Sequence, residues 1–370
     1  MLRSYPIQAC QENWLHDALI SIILEIHNKI NQNQSVISSN STWNRLVNNT
    51  LIPAPHKSEL RSARGIRDRA FNYKDELLKL DVQQRQDVLT AIISQNSIPG
   101  LLDGTTQVNV IYQTLPTLHD KANDLFVFSY EKLTDFKIRE RQYDIIFASL
   151  PIKICPFCGI ERVMDPEETA QDQDHYLAKS IYPFAAANMR NLVPMCRCCN
   201  RDYKKNKDIL YNANHIRRKA FDPYNFTPFE ISLIDSTVIE NTSPLKFNWV
   251  ITFDNNSEES ETWDDVFSIK ERYKRDILDQ YFDKWLSGYM KKCMNDRRRG
   301  IINKNFSFAQ IREHLMYFLQ DKTENPNIGM AGFLEPLAFT LLIKMYDEHD
   351  ERVINIINDA VLGVSISDVA

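Results

Sequence analysis

Glycine is scarce in this sequence, and long apolar runs are missing from it. The chain of 370 residues contains 9 glycines, and neither GxGxxG nor GxxxxGK[ST] occurs in it. Because phosphate-cradling loops depend on such glycines, the sequence argues against an ATPase or a dinucleotide enzyme on this chain. The apolar run "LISIILEI" is too short and too amphipathic to span a membrane. No signal peptide opens the sequence, so we expect a cytoplasmic protein without a membrane partner.

Charge is distributed unevenly along a chain whose net charge is −5. The segment 190–219 holds nine basic and two acidic residues, a local charge of 9 − 2 = +7. A solvated surface is the ordinary explanation of such a run. Its position beside cysteines and a histidine favours contact with nucleic acid instead, because locally concentrated Lys and Arg bind phosphates. We expect these contacts at Arg201, Lys204, Lys205 and Lys207.

Hydrophobic periodicity predicts a mainly helical α+β protein. Residues up to about Asp135 contain amphipathic helices, one of them in "WLHDALISIILEIHNKI". "ISLIDSTVIE" and "LKFNWVITFD" predict strands, because both are rich in β-branched and aromatic residues. Most of the remainder is predicted to be helical, with a capping box of Ser307 and Gln310 before "IREHLMYFL". We divide the chain into a helical N-terminal region (1–135), a central module (136–225) and a C-terminal region with a small β element and helices (226–370).

Five of the seven cysteines fall in one short window. Cys155-Pro-Phe-Cys158 and Cys196-Arg-Cys-Cys199 form a CxxC…CxxC pattern, in which two loops each supply two thiolates to a tetrahedral zinc ion. A set that uses Cys198 stays open, although the CxxC spacing favours Cys199. Reduced cysteines without metal are the alternative. Because clustered pairs in a cytosolic protein point to metal rather than to disulfides, we predict a structural Zn²⁺ site.

Four polar residues lie inside the zinc pattern: Asp174, His175, Asn191 and Asn200. A site of four thiolates has no open position, so any chemistry needs this second set of groups. Asp174 and Asn200 offer hard oxygen donors, which suit Mg²⁺ or Mn²⁺. His175 can take a proton from water, and the amide oxygen of Asn191 can fix its tautomer. Singly, such residues are more often structural, but together they are what metal-assisted phosphodiester hydrolysis requires.

The order Cys-x-x-Cys, Asp-His, Asn-Leu, Cys-x-x-Cys-Asn resembles the HNH endonucleases, which carry a ββα-metal finger. The resemblance is concentrated in residues 155–207 and does not extend over the N-terminal helical region. It implies that His175 is the general base on the first strand, that Asn191 orients it, and that Asp174 and Asn200 are metal ligands. The last letter of the family name is an asparagine here, as in known variants. Ala178 replaces the proline of the DHYLPK wording common in one bacterial subgroup, which affects loop stiffness more than chemistry.

The resemblance also implies cofactors, partners and a setting. The central module would be a zinc-stabilised finger with one catalytic Mg²⁺ or Mn²⁺, and by family habit its substrate would be DNA. HNH proteins of this subgroup are commonly effectors of anti-phage defence operons, often beside an ATPase. We therefore expect a separate ATPase or sensor protein as partner, with residues 1–135 for docking or substrate selection. One finger cleaves one strand in each binding event, so cleavage of both strands would need a dimer or a second binding event.

Three alternatives stay open at this point. A restriction-type or mobile-element nuclease is the second choice of setting. The chain would be a binding module if the zinc-stabilised finger grips nucleic acid without cutting it, or a scaffold if the zinc site is purely structural. Loss of catalysis would tend to spare the cysteines and remove His175 or Asn200, yet both are present, so the enzyme is the favoured interpretation.

Overall fold

Helices dominate the structure, a computed structural model that describes residues 2–168, 172–242, 244–254, 257–325 and 331–363. The strands in these ranges form short antiparallel pairs, in agreement with the predicted α+β class. The chain divides into two compact units. Residues 1–157, 161–228 and 258–267 form the first, and residues 229–257 and 268–370 form most of the second. None of the helices in the described ranges is long and apolar enough to cross a membrane.

The first unit is built mainly from α-helices. They are α1 (Trp14–Asn31), α2 (Asn40–Asn49), α3 (Ala54–Ser62), α4 (Arg64–Leu77), α5 (Val82–Asn96), α6 (Ile98–Leu102), α7 (Pro116–Asp135), α8 (Ile138–Ser149) and α9 (Glu258–Phe267). Helix α1 follows the predicted periodicity, because Leu15, Leu19, Ile22 and Ile26 fall on one buried face. Burial of such faces stabilises the helices more than their intrinsic propensity does.

Two short strands and a helical segment form the part of this unit that carries the predicted site. Strands β1 (Gln173–His175) and β2 (Leu192–Pro194) pair antiparallel, with Asp174 opposite Val193. The loop between them contains two 3₁₀ turns, Pro183–Ala185 and Met189–Asn191. A π-helical segment, Cys198–Lys204, follows β2. The chain therefore runs strand, loop, strand, helix through the region between the cysteine pairs.

The loop between β1 and β2 packs into the core of the N-terminal helices. Phe184, Ala186 and Met189 belong to the same hydrophobic cluster as the buried faces of α1, α4 and α7. The ring of Phe184 meets that of Phe126 edge-on, with 5.6 Å between centroids. The predicted boundary between residues 135 and 136 consequently falls inside the first unit, because the central segment buries its loop against the N-terminal helices instead of forming a core of its own.

The second unit contains the predicted small β element and most C-terminal helices. Its elements are β3 (Ile231–Ser232), β4 (Thr237–Val238), β5 (Phe247–Asn248), β6 (Thr252–Phe253), α10 (Ile269–Arg272), a π-helical segment (Tyr273–Leu278), α11 (Asp279–Arg298), α12 (Phe308–Glu324), α13 (Leu334–Asp347) and α14 (Glu351–Leu362). Strand β3 pairs with β6 and β4 pairs with β5, both antiparallel. The predicted capping box at the start of α12 is confirmed, since Ser307 and Gln310 exchange both bonds.

Candidate functional site

Four cysteine side chains converge near the middle of the sequence. The Sγ atoms of Cys155, Cys158, Cys196 and Cys199 all lie within 4.8 Å of one another, and all four residues are buried. Zinc–sulfur bonds of about 2.3 Å in a tetrahedron hold sulfur atoms about 3.8 Å apart. The spacing and the soft thiolate donors both fit zinc, so this buried group can hold a zinc ion.

Backbone amides point at three of these sulfur atoms. The amide of Ile160 donates to Cys158 Sγ at 3.5 Å. The amide of Cys196 donates to Cys155 Sγ at 3.4 Å, and the amide of Cys199 donates to Cys196 Sγ at 3.4 Å. Hydrogen bonds to an acceptor favour its charged form, so these amides support the thiolates that a metal requires. With four protein ligands the site would be closed and therefore structural.

The remaining cysteines stand outside this cluster. Cys198 is half-buried, and its thiol donates to Glu161 Oε1 at 3.7 Å, so the expectation that Cys199 completes the set is met. Cys293 is buried, and burial raises its pKa to about 11. Cys10 is half-buried, and its desolvation raises the thiol pKa to about 12. Both therefore remain thiols at neutral pH and behave as small apolar side chains.

His175 is held in one orientation by a backbone carbonyl. Its Nε2 atom lies 3.0 Å from the oxygen of Ala186, in the loop between β1 and β2. A carbonyl oxygen can only accept a hydrogen bond, so Nε2 carries the proton and Nδ1 keeps its lone pair. Burial lowers the pKa of His175 to about 3, and the nearby Lys179 charge acts in the same direction. The imidazole is therefore neutral at neutral pH and has a defined tautomer.

Asn191 acts on the loop rather than on the histidine ring. Its Oδ1 accepts the amide of Leu177 at 2.7 Å, and its Nδ2 donates to the carbonyls of Leu177 and Ala185 at 3.1 and 3.2 Å. The expected bond from Asn191 to the ring of His175 is replaced in the described structure by the Ala186 carbonyl. Because Asn191 is fully buried and holds the residue before Ala186, it positions that carbonyl and hence the ring only indirectly.

Asp174 forms a buried ion pair with Lys204. Lys204 Nζ lies 2.7 Å from Asp174 Oδ2 and donates to the carbonyl of His175 at 2.9 Å, and its side chain is 1% exposed. Burial raises the pKa of Asp174, and the ammonium beside it opposes that shift. The expected phosphate contact at Lys204 is at odds with this burial, because an enclosed and paired ammonium is not presented to a ligand at the surface.

Asn200 occupies the helical segment one turn before Lys204. Its backbone amide donates to the carbonyl of Cys196 at 3.0 Å, and its carbonyl accepts the amide of Lys205 at 2.8 Å. The side chain is partly buried. Asn200 and Lys204 both belong to this π-helical segment. Among the described residues, no hydrogen bond joins the Asn200 side chain to Asp174 or His175.

The other predicted nucleic-acid contacts differ in their availability. Arg201 is exposed and pairs with Asp172, with Nη2 2.7 Å from Oδ2. Lys207 donates to the carbonyls of Asp265 and Val266, at the C-terminal end of α9, where a cation is favoured. Lys205 is exposed, and no ion pair to it is found among the described residues. Only Lys205 therefore combines exposure with freedom from such partners.

Three residues around His175 escaped prediction. The ring of Tyr130, on α7, meets the His175 ring edge-on with 4.3 Å between centroids. The guanidinium of Arg139, on α8, lies 4.6 Å from the Tyr130 centroid, and Lys179 Nζ lies 5.6 Å from it. Lys179 belongs to the stretch "DHYLAK" and was therefore open to detection. Tyr130 and Arg139 come from helices that precede the motif and carry no local signal.

The description of the two clusters rests on their geometry alone, because the comparisons with known proteins found no match. No protein-family model matches the chain, and neither a curated protein nor a solved structure matches it. The resemblance to HNH endonucleases consequently rests on the quoted residues of the segment 155–207 alone.

Proposed function

We propose that this chain is a metal-dependent HNH endonuclease, which hydrolyses phosphodiester bonds with His175 as general base. The state of the His175 ring carries the proposal. The ring is neutral, its Nε2 proton is engaged by the Ala186 carbonyl, and its Nδ1 lone pair is left to accept a proton. A neutral ring can accept a proton from water, but burial makes this ring a weak base. A divalent cation that lowers the pKa of the attacking water would offset that weakness.

The order of elements supports the same proposal. In HNH enzymes the base lies on the first strand of a ββα finger and a metal ligand lies on its helix. Here His175 ends β1, β2 follows, and Asn200 lies in the helical segment after β2. The cysteine cluster joins the approach to β1 to the start of that helix. A zinc ion held there would fix the ends of the finger while leaving its polar residues free for chemistry.

The neighbours of His175 suit a phosphodiester anion. Arg139 and Lys179 both direct a cation at the ring of Tyr130, which contacts the histidine. Lys179 is exposed, so its ammonium is open to a strand that arrives from solvent. We assign these two cations to the phosphate beside the reacting water. Asn191 then keeps the loop, and with it the Ala186 carbonyl, in place during the reaction.

Asp174 and Asn200 would hold the catalytic Mg²⁺ or Mn²⁺. Both offer hard oxygen donors, and the ion would have to compete with the Lys204 ammonium, which lies 2.7 Å from Asp174 Oδ2. When bound, the ion neutralises charge on the phosphate and on the leaving oxygen. The Lys204 ammonium opposes the rise in pKa that burial causes at this carboxylate, and it holds the carboxylate in one orientation.

A zinc-stabilised module that binds nucleic acid without cutting it is the second candidate. The Asp174–Lys204 ion pair favours it, because a carboxylate that is already neutralised attracts a divalent cation less strongly. The exposed Lys179 and Lys205 would serve binding as well as catalysis. The two candidates therefore differ in one property, which is metal-dependent cleavage.

The substrate and the setting follow from the resemblance. We propose DNA as substrate and a role as effector of a prokaryotic anti-phage defence system, together with a separate ATPase or sensor protein. We assign residues 1–135 to docking or substrate selection. Tyr130 lies in this region and contacts His175, so a partner that shifts α7 would act directly on the proposed base.

Plasmid cleavage tests the proposal. Supercoiled DNA is incubated with zinc-loaded protein and Mg²⁺, Mn²⁺ or neither, and nicked and linear products are separated on gels. His175→Gln keeps a side-chain amide that can donate to Ala186 but removes the base, so cleavage should fall by about 10²- to 10⁴-fold. The matched control is His27→Gln, which replaces another buried histidine whose Nε2 is hydrogen-bonded, to Tyr73 at 2.8 Å, and should leave cleavage unchanged.

Two outcomes would contradict the proposal. Equal cleavage by wild type and His175→Gln would remove His175 from the role of base. Metal-independent binding of DNA, with no cleavage by folded and zinc-loaded wild type, would establish the binding module instead.

A further inference from the structure

A cavity in the first unit lies outside the site described above. Its volume is about 450 Å³, which is within the range of pockets that hold small ligands. Three segments supply most of its wall: residues 108–112 before α7, residues 181–182 of the β1–β2 loop, and residues 207–218 after the helical segment. The last two segments follow, in the sequence, the strand that carries His175 and the helical segment that carries Asn200. The same elements therefore position the cavity and the candidate site.

Aromatic surface is available on one side of this cavity. Tyr112 is 39% exposed, although it is large and mostly apolar. Tyr211 is half-buried, and its ring lies 6.0 Å from the guanidinium carbon of Arg217. The aliphatic side chains of Val108 and Val110 line the cavity beside these rings. Exposed rings next to aliphatic groups favour a flat ligand that can stack on them.

The cavity is also lined by polar side chains that are fixed in place. Tyr182 donates its hydroxyl to Asp208 Oδ2 at 2.8 Å. Arg218 is 9% exposed and is held by the carboxylate of Asp265 and by the carbonyls of Ile209 and Asp208. These bonds orient two carboxylates before any ligand arrives. A carboxylate accepts hydrogen bonds from the amino and imino groups at the edge of a base. An alkyl chain has no such donors, so the carboxylates favour a base over an aliphatic ligand.

We infer that this cavity binds one nucleobase of a nucleic-acid strand whose backbone lies at the His175 site. A base has the flat face that Tyr112 and Tyr211 can stack and the polar edge that the carboxylates can bind. Lys207 is exposed at the cavity, where its ammonium donates to the carbonyls of Asp265 and Val266 and adds a positive charge near the strand's phosphates. The inference rests on the proposed function, because a strand held at His175 supplies the base. It adds a contact that favours unpaired or flipped-out nucleotides.

Equilibrium binding tests the inference without relying on cleavage. Fluorescence anisotropy of a short, labelled, single-stranded DNA is measured in buffer without divalent cations, so that no strand is cut. Tyr211→Leu and Tyr112→Leu each remove a stacking ring but keep apolar volume. Each should weaken binding by about 5- to 100-fold. The matched control is Tyr317→Leu, which replaces a tyrosine that is 62% exposed in the second unit and should not change the affinity.

The outcomes separate this inference from the proposed function. Thermal melting first establishes that each variant is folded, and Tyr112→Leu serves because its ring lies at the surface. Unchanged affinity in both variants overturns the inference, even if wild type cleaves plasmid DNA. Ring-dependent binding without metal-dependent cleavage supports the base pocket and overturns the nuclease. Mononucleotides could instead bind tightly at this pocket, in a way that depends on the two rings, and compete with the strand there. That result would overturn the inference and identify a free nucleotide as the ligand of the pocket.

Discussion

The cysteine cluster and the Asp174–His175 strand are both buried, yet their polar groups are satisfied in opposite ways. The four cysteines face one another, and backbone amides donate to three of their sulfur atoms. Asp174 and His175 are bound by groups outside their own strand, a lysine on the helical segment and a carbonyl in the loop. The first region needs only a metal to be complete, while the second retains an unprotonated ring nitrogen.

This difference separates a closed thiolate set, which fits a structural metal, from a buried pair whose neutral ring nitrogen can accept a proton. A closed set of four thiolates can bind a metal tightly but leaves no position for a substrate. A neutral histidine with a fixed tautomer keeps one lone pair that can accept a proton, and the proposed chemistry uses this feature. The comparison predicts that substitutions in the first region remove the metal and the fold around it, whereas those in the second change the buried charge balance, with a smaller effect on stability, and the proposed reactivity.

The largest expected effect follows from breaking the cysteine cluster. Cys199→Ser removes one of four converging sulfur atoms, and structural zinc sites contribute about 10–16 kcal/mol in zinc-finger peptides. We expect the variant to lose its zinc and to expose the segment 155–204 to proteolysis. Metal analysis of purified protein and limited proteolysis measure both effects. Cys198→Ser is the matched control, and it should retain zinc because its thiol points to Glu161.

The reverse result would redefine the site. If Cys198→Ser lost zinc while Cys199→Ser kept it, the ligand set would be the alternative that the sequence left open. Zinc retained by both variants would show that the bound metal needs neither Cys198 nor Cys199 as a ligand.

Local spacing explains why much of this could be predicted from the sequence. A CxxC pair forms a metal-binding turn almost regardless of its surroundings, so the ligand set followed from the pattern. The capping box of Ser307 and Gln310 was likewise readable, because its bonds span one turn. The predicted strands near Ile231 and Phe253 exist but are two residues long, since β propensity alone does not determine how far pairing extends.

The partners of the candidate site were not readable, because they depend on tertiary packing. Lys204 lies in a basic run, and such runs are usually exposed to solvent. In the folded protein its side chain instead points from the helical segment toward Asp174. The Ala186 carbonyl that holds His175 belongs to a residue without any polar side chain. Tyr130 approaches from a helix far earlier in the chain. Spacing rules reach only a few residues and do not report such contacts.

An intermediate effect is expected when the Asp174 ion pair is broken. Lys204→Met removes the ammonium and leaves a buried carboxylate unpaired, which should lower the free energy of unfolding by about 3–5 kcal/mol. Urea denaturation measures the change. Lys205→Met alters the adjacent exposed lysine and should have little effect. If Asp174 is a metal ligand, Mn²⁺ should raise the melting temperature of Lys204→Met more than that of wild type. The ion can then balance the negative charge of the Asp174 carboxylate, which the substitution leaves unpaired.

Equal stability of the two lysine variants would argue that the Asp174–Lys204 pair contributes nothing to folding. Asp174→Asn combined with Lys204→Met provides a further check, since the uncharged pair should recover most of the stability that the single lysine substitution loses.

The smallest effect per pH unit concerns His16, which is as buried as His175 and whose Nδ1 has no hydrogen-bond partner among the described residues. His16 is 3% exposed, its Nδ1 is enclosed without a partner, and burial lowers its pKa to about 3. An unfolded histidine has a pKa of about 6.5, so this residue favours folding fully above that pH and progressively less as pH falls toward 3. Urea denaturation between those values should show wild type losing about 1.4 kcal/mol more per pH unit than His16→Gln. His349→Asn, at an exposed histidine, should keep the wild-type slope. A slope unaffected by His16→Gln would mean that His16 is hydrated in solution, and that burial alone does not account for the neutral state of histidines in this unit.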